Sequence, residues 1–423
     1  MRDAMDFDVI VIGGGHAGLA FARLLESLCA PRRPGLSIAV LDAAPAAAAV
    51  LPAEVGLRVV AVSPGSRTIL ERCGAWPLLP AGRIGPYRRM VVWHHLGAAD
   101  GARSLGFDAA EAGVEELGYI IENEALRSAL WHAPGSAVTL LPGIRPEAVQ
   151  VGADEACLRL EDGRPLRSRL VVGADGHSSW LRQAMGVGVH EHPYGQHAVV
   201  AHLASARPHR ATAWQRFLAD GPLALLPLAD GRVSLVWSCP SARAHELLAM
   251  DEEAFGEAVG NASGRVLGSL RPTTPRAAFE LVARQAVRCT GQRFALIGDA
   301  AHRIHPLAGQ GVNLGFRDVA VLAQQLAEHL RVPGADPGDA VVLRAFERSR
   351  RWENAAVSRA MTLLNAGFAS PIPGLATAAG LGLGVVDHLD VLKRRLAAFA
   401  MGRQGEVPAW VRDDGGRRGP DHP

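Results

Sequence analysis

Residues 298–315, GDAAHRIHPLAGQGVNLG, follow an apolar run, FALIG, and place an acid, two histidines, a proline and closely spaced glycines ahead of a helical pattern. Three readings of these residue types compete. They form an ordinary strand-to-helix turn, a metal site on Asp299, His302 and His305, or a loop whose bare backbone lies against a bound ring system. The metal reading is the weakest, because a closed site generally takes four ligands and no further ligand cluster is adjacent. A loop built to touch a ring needs glycine, since any side chain would hold the main chain away.

Two other stretches carry chemistry. GGGHAGLA (13–20) has the spacing Gly13-x-Gly15-x-x-Gly18, preceded by the strand-like DVIVIG and followed by a helical pattern. Gly13 allows a tight turn, Gly15 lets a phosphate approach the backbone, and Gly18 lets the helix pack on the sheet. The second strand, SIAVLD, ends in Asp42, roughly two dozen positions beyond Gly18, where a carboxylate can hold a ribose hydroxyl. Dinucleotide binding is the reading these residues favour, with His16 occupying a permissive position. The other stretch, VVGADGHSSWLR (171–182), is a strand ending in Asp175-Gly176, with Ser178 or Ser179 as a helix cap and Arg182 beyond.

The elements that position these stretches follow from periodicity. DVIVIG, LSIAVLD, RLVVGAD and FALIGD are short, β-branched and end at Gly or Asp. Strands apolar on both sides belong in a sheet covered on both faces, hence an α/β domain assembled from separated pieces. Residues 190–285 instead read as longer antiparallel strands with turns at ADGP and ADGR, and 86–107 as a hairpin with ADG in its turn. The expected division is a discontinuous nucleotide-binding domain (1–85, 117–185 and 286–340), a β-sheet substrate domain (86–116 and 186–285), and a helical C-terminal region (341–423). The last residues, VRDDGGRRGPDHP, read as a loose tail.

Bulk composition excludes several functions. Of 423 residues, 48% are hydrophobic, enough for a substantial core, and 44 Lys+Arg against 42 Asp+Glu leave no footprint for nucleic acid. Scattered cysteines without a CxxC pair suit reduced thiols in the cytoplasm. The acidic start MRDAMD does not resemble a secretory signal. Residues 362–386 carry no charge, but Pro371 and Pro373 break any continuous helix. That segment reads as helix, break, helix: a packed C-terminal hairpin, or an apolar surface that admits a lipid-soluble substrate or rests on a membrane, helped by Lys393, Arg394 and Arg395.

In their order, GxGxxG, GADGxxSxxR and GDAAHxxHPxAGQGxNLGxxD resemble the class A FAD-dependent aromatic monooxygenases, and the last motif is similar to that of the ubiquinone-biosynthesis hydroxylases. The resemblance extends through RVVAVSPGSRTILERCGAW (58–76), LGYIIENEALRSALW (117–131), AWQRFLADGPLALLPL (213–228) and VLKRRLAAFAMG (391–402). It implies a para-hydroxybenzoate-hydroxylase-like fold: a Rossmann-type FAD-binding domain with an inserted antiparallel β-sheet domain and a helical C-terminal region. It also implies that Gly13, Gly15, Gly18, Asp42, Arg58, Asp175, Asp299, Pro306, Gly309, Gly311, Val312 and Asn313 bind FAD. Asp299 would hold the ribityl or pyrophosphate region, and Pro306 to Asn313 would wrap the flavin ring. Arg58 would lie near the flavin, and Asn123 stands where wider relatives carry Arg or Gln.

By the same resemblance NADPH or NADH is a transient electron donor, dioxygen a substrate, and His305, Pro306 and Gln310 the flavin-loop candidates for catalysis; no general base stands out. His302 and His305 are expected to bond loop backbone or line the cavity, and His197, His202 and His209 to be structural. The expected reaction is hydroxylation of the aromatic or quinol ring of a polyprenylated ubiquinone precursor, in first place the late 3-demethoxyubiquinol-type step. The expected partners are other proteins of that pathway. Hydroxylation at another ring position, a flavin-dependent isoprenoid reductase or epoxidase, and a non-catalytic flavoprotein scaffold are the alternatives.

Overall fold

The strands Phe7–Ile12, Ile38–Asp42 and Pro165–Gly173 have apolar side chains on both faces and must be sandwiched between helices. A computed structural model describes residues 5–30, 33, 35–304, 309–368, 383–384, 386–387 and 389–412 and places them so. The parallel part of that eight-stranded sheet runs Phe294–Leu296, Pro165–Gly173, Phe7–Ile12, Ile38–Asp42, Val138–Pro142, and Thr290–Gly291, Ala156–Leu160 and Pro146–Val151 add to it antiparallel. In chain order the helices are α1 (His16–Cys29), α2 (Pro64–Arg72), α3 (Asn123–Trp131), α4 (Trp180–Ala184), α5 (Ser241–Ala249) and α6 (Glu252–Ala262). They continue with α7 (Gln310–His329), α8 (Ala340–Phe368), α9 (Asp390–Ala400) and α10 (Ala409–Arg412). Val9 and Val11 pack with Leu19 and Phe21 of α1 and with Phe316 and Val319 of α7 in one buried core.

The second sheet follows the alternating pattern of its sequence. Its order is His302–Arg303, Ala277–Ala286, Val189–Ser205, Val233–Pro240, Gly221–Pro227, Thr212–Leu218, Arg89–His94, Ser104–Asp108. Pairing is antiparallel except between Thr212–Leu218 and Arg89–His94. One face is closed by α5 and α6 through Leu235, Trp237, Leu247 and Phe255. A third sheet, Val59–Val62, Gly118–Glu122 and Ile84–Tyr87, is not hydrogen-bonded into either. The short strand His302–Arg303, inside the opening motif, pairs with Arg284 and Gln285 and so ties that motif to the second sheet.

In the C-terminal region Arg317 of α7 reaches Glu353 of α8 and donates to the Phe399 carbonyl of α9 at 2.7 Å. The first residue of the expected loose tail is instead docked. Val411 is buried, and Trp410 donates to Gln324 at 3.0 Å while the Arg72 guanidinium lies 4.4 Å from its ring centre. An indole and a valine dock there because α2 and α7 leave an apolar seat; 413–423, Pro371 and Pro373 lie outside the described residues. Among the described residues no helix is long and apolar enough to cross a membrane. All five cysteines are free thiols, four of them buried.

His202 is buried in the second sheet, where desolvation first, and the nearby Arg232 second, push its pKa down to about 4. An unfolded histidine titrates near 6.5. The unfolded chain therefore binds the extra proton first, and stability is full above the unfolded value and lost as pH falls from there towards 4. The expected contribution is on the order of 2–3 kcal/mol. Thermal unfolding of wild type and His202→Gln between pH 7.5 and 4.5 should show a shallower decline in the variant; parallel curves would contradict this account.

Candidate active site

The first glycine turn is built by three different constraints. Gly13 has φ +108°, and a Cβ there would stand 2.4 Å from the Ala174 carbonyl oxygen. At Gly18 a Cβ would stand 2.0 Å from the Gly13 carbonyl oxygen, so only glycine lets α1 approach the turn. At Gly15 a Cβ would meet nothing within 4 Å. That open side borders a cavity of about 430 Å³. Gly15 caps α1 without a side-chain hydrogen bond, leaving the first-turn amides for an anion.

Asp42 stands at this turn, its carboxylate 2.5 Å from where a Gly14 Cβ would be. It accepts from the Ala44 amide at 2.9 Å and from Arg127 at 3.3 Å. Arg127 also donates to the Gly14 carbonyl at 3.2 Å, so α3 delivers a cation to the dinucleotide turn. Sequence reasoning passed over Arg127, because one arginine on an amphipathic helix carries no signal of what it faces. His16 does more than fill a permissive position. Its Nε2–H donates to the Asn123 carbonyl at 3.0 Å, and burial lowers its pKa, which keeps the ring neutral. His16, Arg58 and Asn123 all border the cavity, and the Arg58 guanidinium lies 5.8 Å from the Phe279 ring centre.

The second motif supports the third. Asp175 accepts from the Leu181 amide at 3.1 Å, and Ser179 caps α4 by accepting from the Arg182 amide at 3.0 Å. The buried Arg182 guanidinium donates to the carbonyls of Ala300 (3.0 Å) and His177 (2.9 Å). One side chain thus holds the two turns together, with Gly176 and Asp299 on the cavity border.

At the third motif the Gly298 amide and the His302 Nε2–H both donate to Asp318 of α7, at 3.0 and 2.5 Å. His302 therefore points into the core and bonds a carboxylate, where loop backbone or cavity was expected. Among the described residues no three His, Cys, Asp or Glu side chains are grouped as for a metal. His305 and Pro306 lie outside the described residues. Gly309 has φ +62° and caps α7 without a side-chain hydrogen bond; Gly309, Gly311 and Val312 border the cavity.

Asn313 is turned away. Its Oδ1 accepts from the Ser63 amide (2.9 Å) and the Ser66 hydroxyl (2.8 Å), and its Nδ2 donates to the carbonyls of Ala61 (2.9 Å) and Gly309 (3.1 Å). Every side-chain bonding position is used, so Asn313 positions the α7 start and offers a ligand only its backbone amide. Gln310 is buried and does not border the cavity.

Two uncapped helix starts, α1 and α7, therefore bracket one cavity, and glycine leaves room for a ligand at Gly15 and Gly311, where a Cβ would find nothing within 4 Å. The donor set suits a pyrophosphate at one end and an electron-accepting ring at the other. Opposite stands the apolar face of the second sheet.

Comparison with known proteins agrees with this geometry. The family described as FAD binding domain matches residues 144–357. Ubiquinone hydroxylase UbiL of Rhodospirillum rubrum is 37% identical over 398 residues, spanning 93% of this chain and 89% of that protein. The 3-demethoxyubiquinol 3-hydroxylase of Escherichia coli is 34% identical over 406 residues, spanning 93% and 98%. The chain belongs to the ubiquinone hydroxylase family of FAD-dependent monooxygenases. The crystal structure of PqsL, a probable FAD-dependent monooxygenase from Pseudomonas aeruginosa, shares the fold with TM-score 0.69 at 26% identity, covering 89% of this chain and 99% of that one. As a ubiquinone hydroxylase relative the chain is an FAD enzyme that acts on aromatic rings, and the cavity above fits that cofactor.

Gly311→Val and Gly18→Val should separate binding from folding. The valine at 311 meets open space and should leave the melting temperature of the flavin-free protein within a few degrees, while bound flavin absorbance falls at least tenfold. The valine at 18 strikes backbone and should lower that melting temperature. Full flavin content in Gly311→Val would contradict the placement of the ring.

Proposed function

We propose that this enzyme hydroxylates the aromatic or quinol ring of a polyprenylated ubiquinone precursor, in first place at the 3-demethoxyubiquinol-type step. The observation that carries the reading is one cavity with two walls. Glycine turns and helix starts line one wall, and Met90, Ala213, Ala224, Leu226 and Val236 line the other. When bound, FAD takes electrons from NADPH or NADH and activates dioxygen, delivering one oxygen atom to an electron-rich ring carbon. The chain's own part is to hold cofactor and ring, and to exclude water. Gly13, Gly15 and Gly18 with the α1 start would hold the pyrophosphate, and Asp42 would take a ribose hydroxyl. Asp299 would hold the ribityl region, and Arg58, Gly309, Gly311 and Val312, which border the cavity, would hold the flavin ring. The amides there favour a ring that gains negative charge. The apolar sheet face lowers the dielectric and keeps out water. Burial pushes the Tyr87 phenol up to about 12, so it keeps its proton beside the ring.

A polyprenyl tail also asks for a lipid surface. Arg344, Arg348, Arg351 and Trp352 share the exposed face of α8, with Trp352 77% exposed. Basic residues with an exposed indole support peripheral contact with an anionic bilayer. Lys393, expected to help, is held by Glu111 and Asp387, both at 3.1 Å.

Quinones extracted from a strain lacking the gene should contain a precursor that lacks one ring oxygen, the 3-demethoxy form in first place. Ubiquinone in normal amount, with no second enzyme for the step, would overturn the substrate. In sedimentation with vesicles, reversing the charge at Arg344, Arg348 and Arg351 should weaken binding to phosphatidylglycerol-containing bilayers more than tenfold, at about 1 kcal/mol per charge. Unchanged binding would remove α8 from the membrane reading.

A further inference from the structure

The sheet wall of the cavity is apolar with three side-chain exceptions, Gln215, Ser238 and, on the short edge strand, Arg303, apart from the indole of Trp214. Register explains their placement. Gln215 lies opposite Ala224 on one neighbouring strand and Val92 on the other, and Ala224 lies opposite Val236. Side chains in one row share a face, so the carboxamide projects from an aliphatic row towards the flavin loop's side. Arg216, the next residue, faces away and donates to the carbonyls of Ala262 (3.0 Å) and His95 (2.9 Å). Gln196, in the Val189–Ser205 strand of the same sheet, donates to the Asp220 carbonyl at 3.0 Å.

Gln215 has no such partner. It is 6% exposed, and its carboxamide forms no hydrogen bond among the described residues. Its nitrogen and oxygen are nevertheless not sealed in, so what remains of their exposure opens on the cavity. An amide buried without a partner is costly, and leucine or methionine would fill the position without that cost. The placement makes sense if a ligand completes the bonds.

We propose that Gln215 hydrogen-bonds an oxygen on the substrate ring and thereby sets which ring carbon is presented to the flavin. The inference deepens the hydroxylase reading and rests on it for the ring. A carboxamide suits this task. Its N–H donates to a quinone or phenolate oxygen, and its carbonyl accepts from a phenol or quinol hydroxyl, so one side chain serves both redox states without adding charge. A carboxylate would repel an ionised ring. Gln215 acts by positioning the ring, and the oxygen-transfer chemistry belongs to the cofactor.

The test compares 4-hexylphenol with 4-hexylanisole, its methyl ether, on FAD-loaded wild type, Gln215→Leu and Gln215→Met. Binding is read from the perturbation of flavin absorbance. Wild type should bind the phenol at least tenfold more tightly than the ether, which cannot donate. Either apolar variant should bind the ether as wild type does and the phenol only about as well as the ether. Product formed per nicotinamide oxidised should also fall, because a ring held in several orientations wastes reducing equivalents. A merely structural role for Gln215 would weaken both ligands together and leave their ratio unchanged. A retained ratio in a variant with normal flavin content overturns the proposal, as does wild type that does not discriminate. Because the readout is a binding ratio, it stands apart from the quinone extraction that tests the substrate itself.

Discussion

The hydrogen bond from the Gly298 amide to the buried Asp318 carboxylate is the constraint on which the site depends. Burial opposes ionisation of Asp318, but His302 and Arg350 beside it hold its pKa well below the usual carboxylate range. Arg350 donates to it at 2.7 Å and continues to Glu353, which also takes Arg317. The turn after the Phe294–Leu296 strand is therefore locked to α7, and α7 to α8. Removing one partner would strand a charge in the core, which generally costs about 3–5 kcal/mol. That rigidity keeps the α7 start aimed at the cavity.

Around this anchor the two nucleotide turns are held by side chains that do not themselves touch the ligand space. Arg182 joins the second motif to the third, and Asn313 joins α7 to the Val59–Val62 strand and α2. Such groups keep bare backbone at contact distance from a ring without crowding it. Preorganised amides of this kind act where charge develops and need no rearrangement at that moment.

The second sheet supplies the opposite condition. Its strands turn one face to the core formed with α5 and α6 and the other to the cavity, so a ring in the cavity would meet polar backbone on one side and a mainly apolar wall on the other. The His302–Arg303 strand, paired to that sheet, fixes the distance between the walls through the same motif that Asp318 anchors.

By itself the sequence determined the cofactor class, the strand–turn–helix units and the antiparallel nature of the second sheet. Those features are local: glycine spacing, cap residues and period-two alternation act between neighbours in the chain, so they can be read from a string. What those motifs face was decided only in three dimensions. His16 meets Asn123 across 107 positions, Arg182 meets Ala300 across 118, and Asn313 meets Ala61 across 252. His302 was expected at loop backbone or cavity and went to the core, the Asn313 side chain turned to Ser63 and α2 and left only its backbone amide at the α7 start, and Arg127 had no expected role at all. Side-chain direction depends on which distant element fills each space, and no pattern in the chain records that. Gln215 is the sharpest case, since only the strand register puts it on the cavity wall with its amide unmatched.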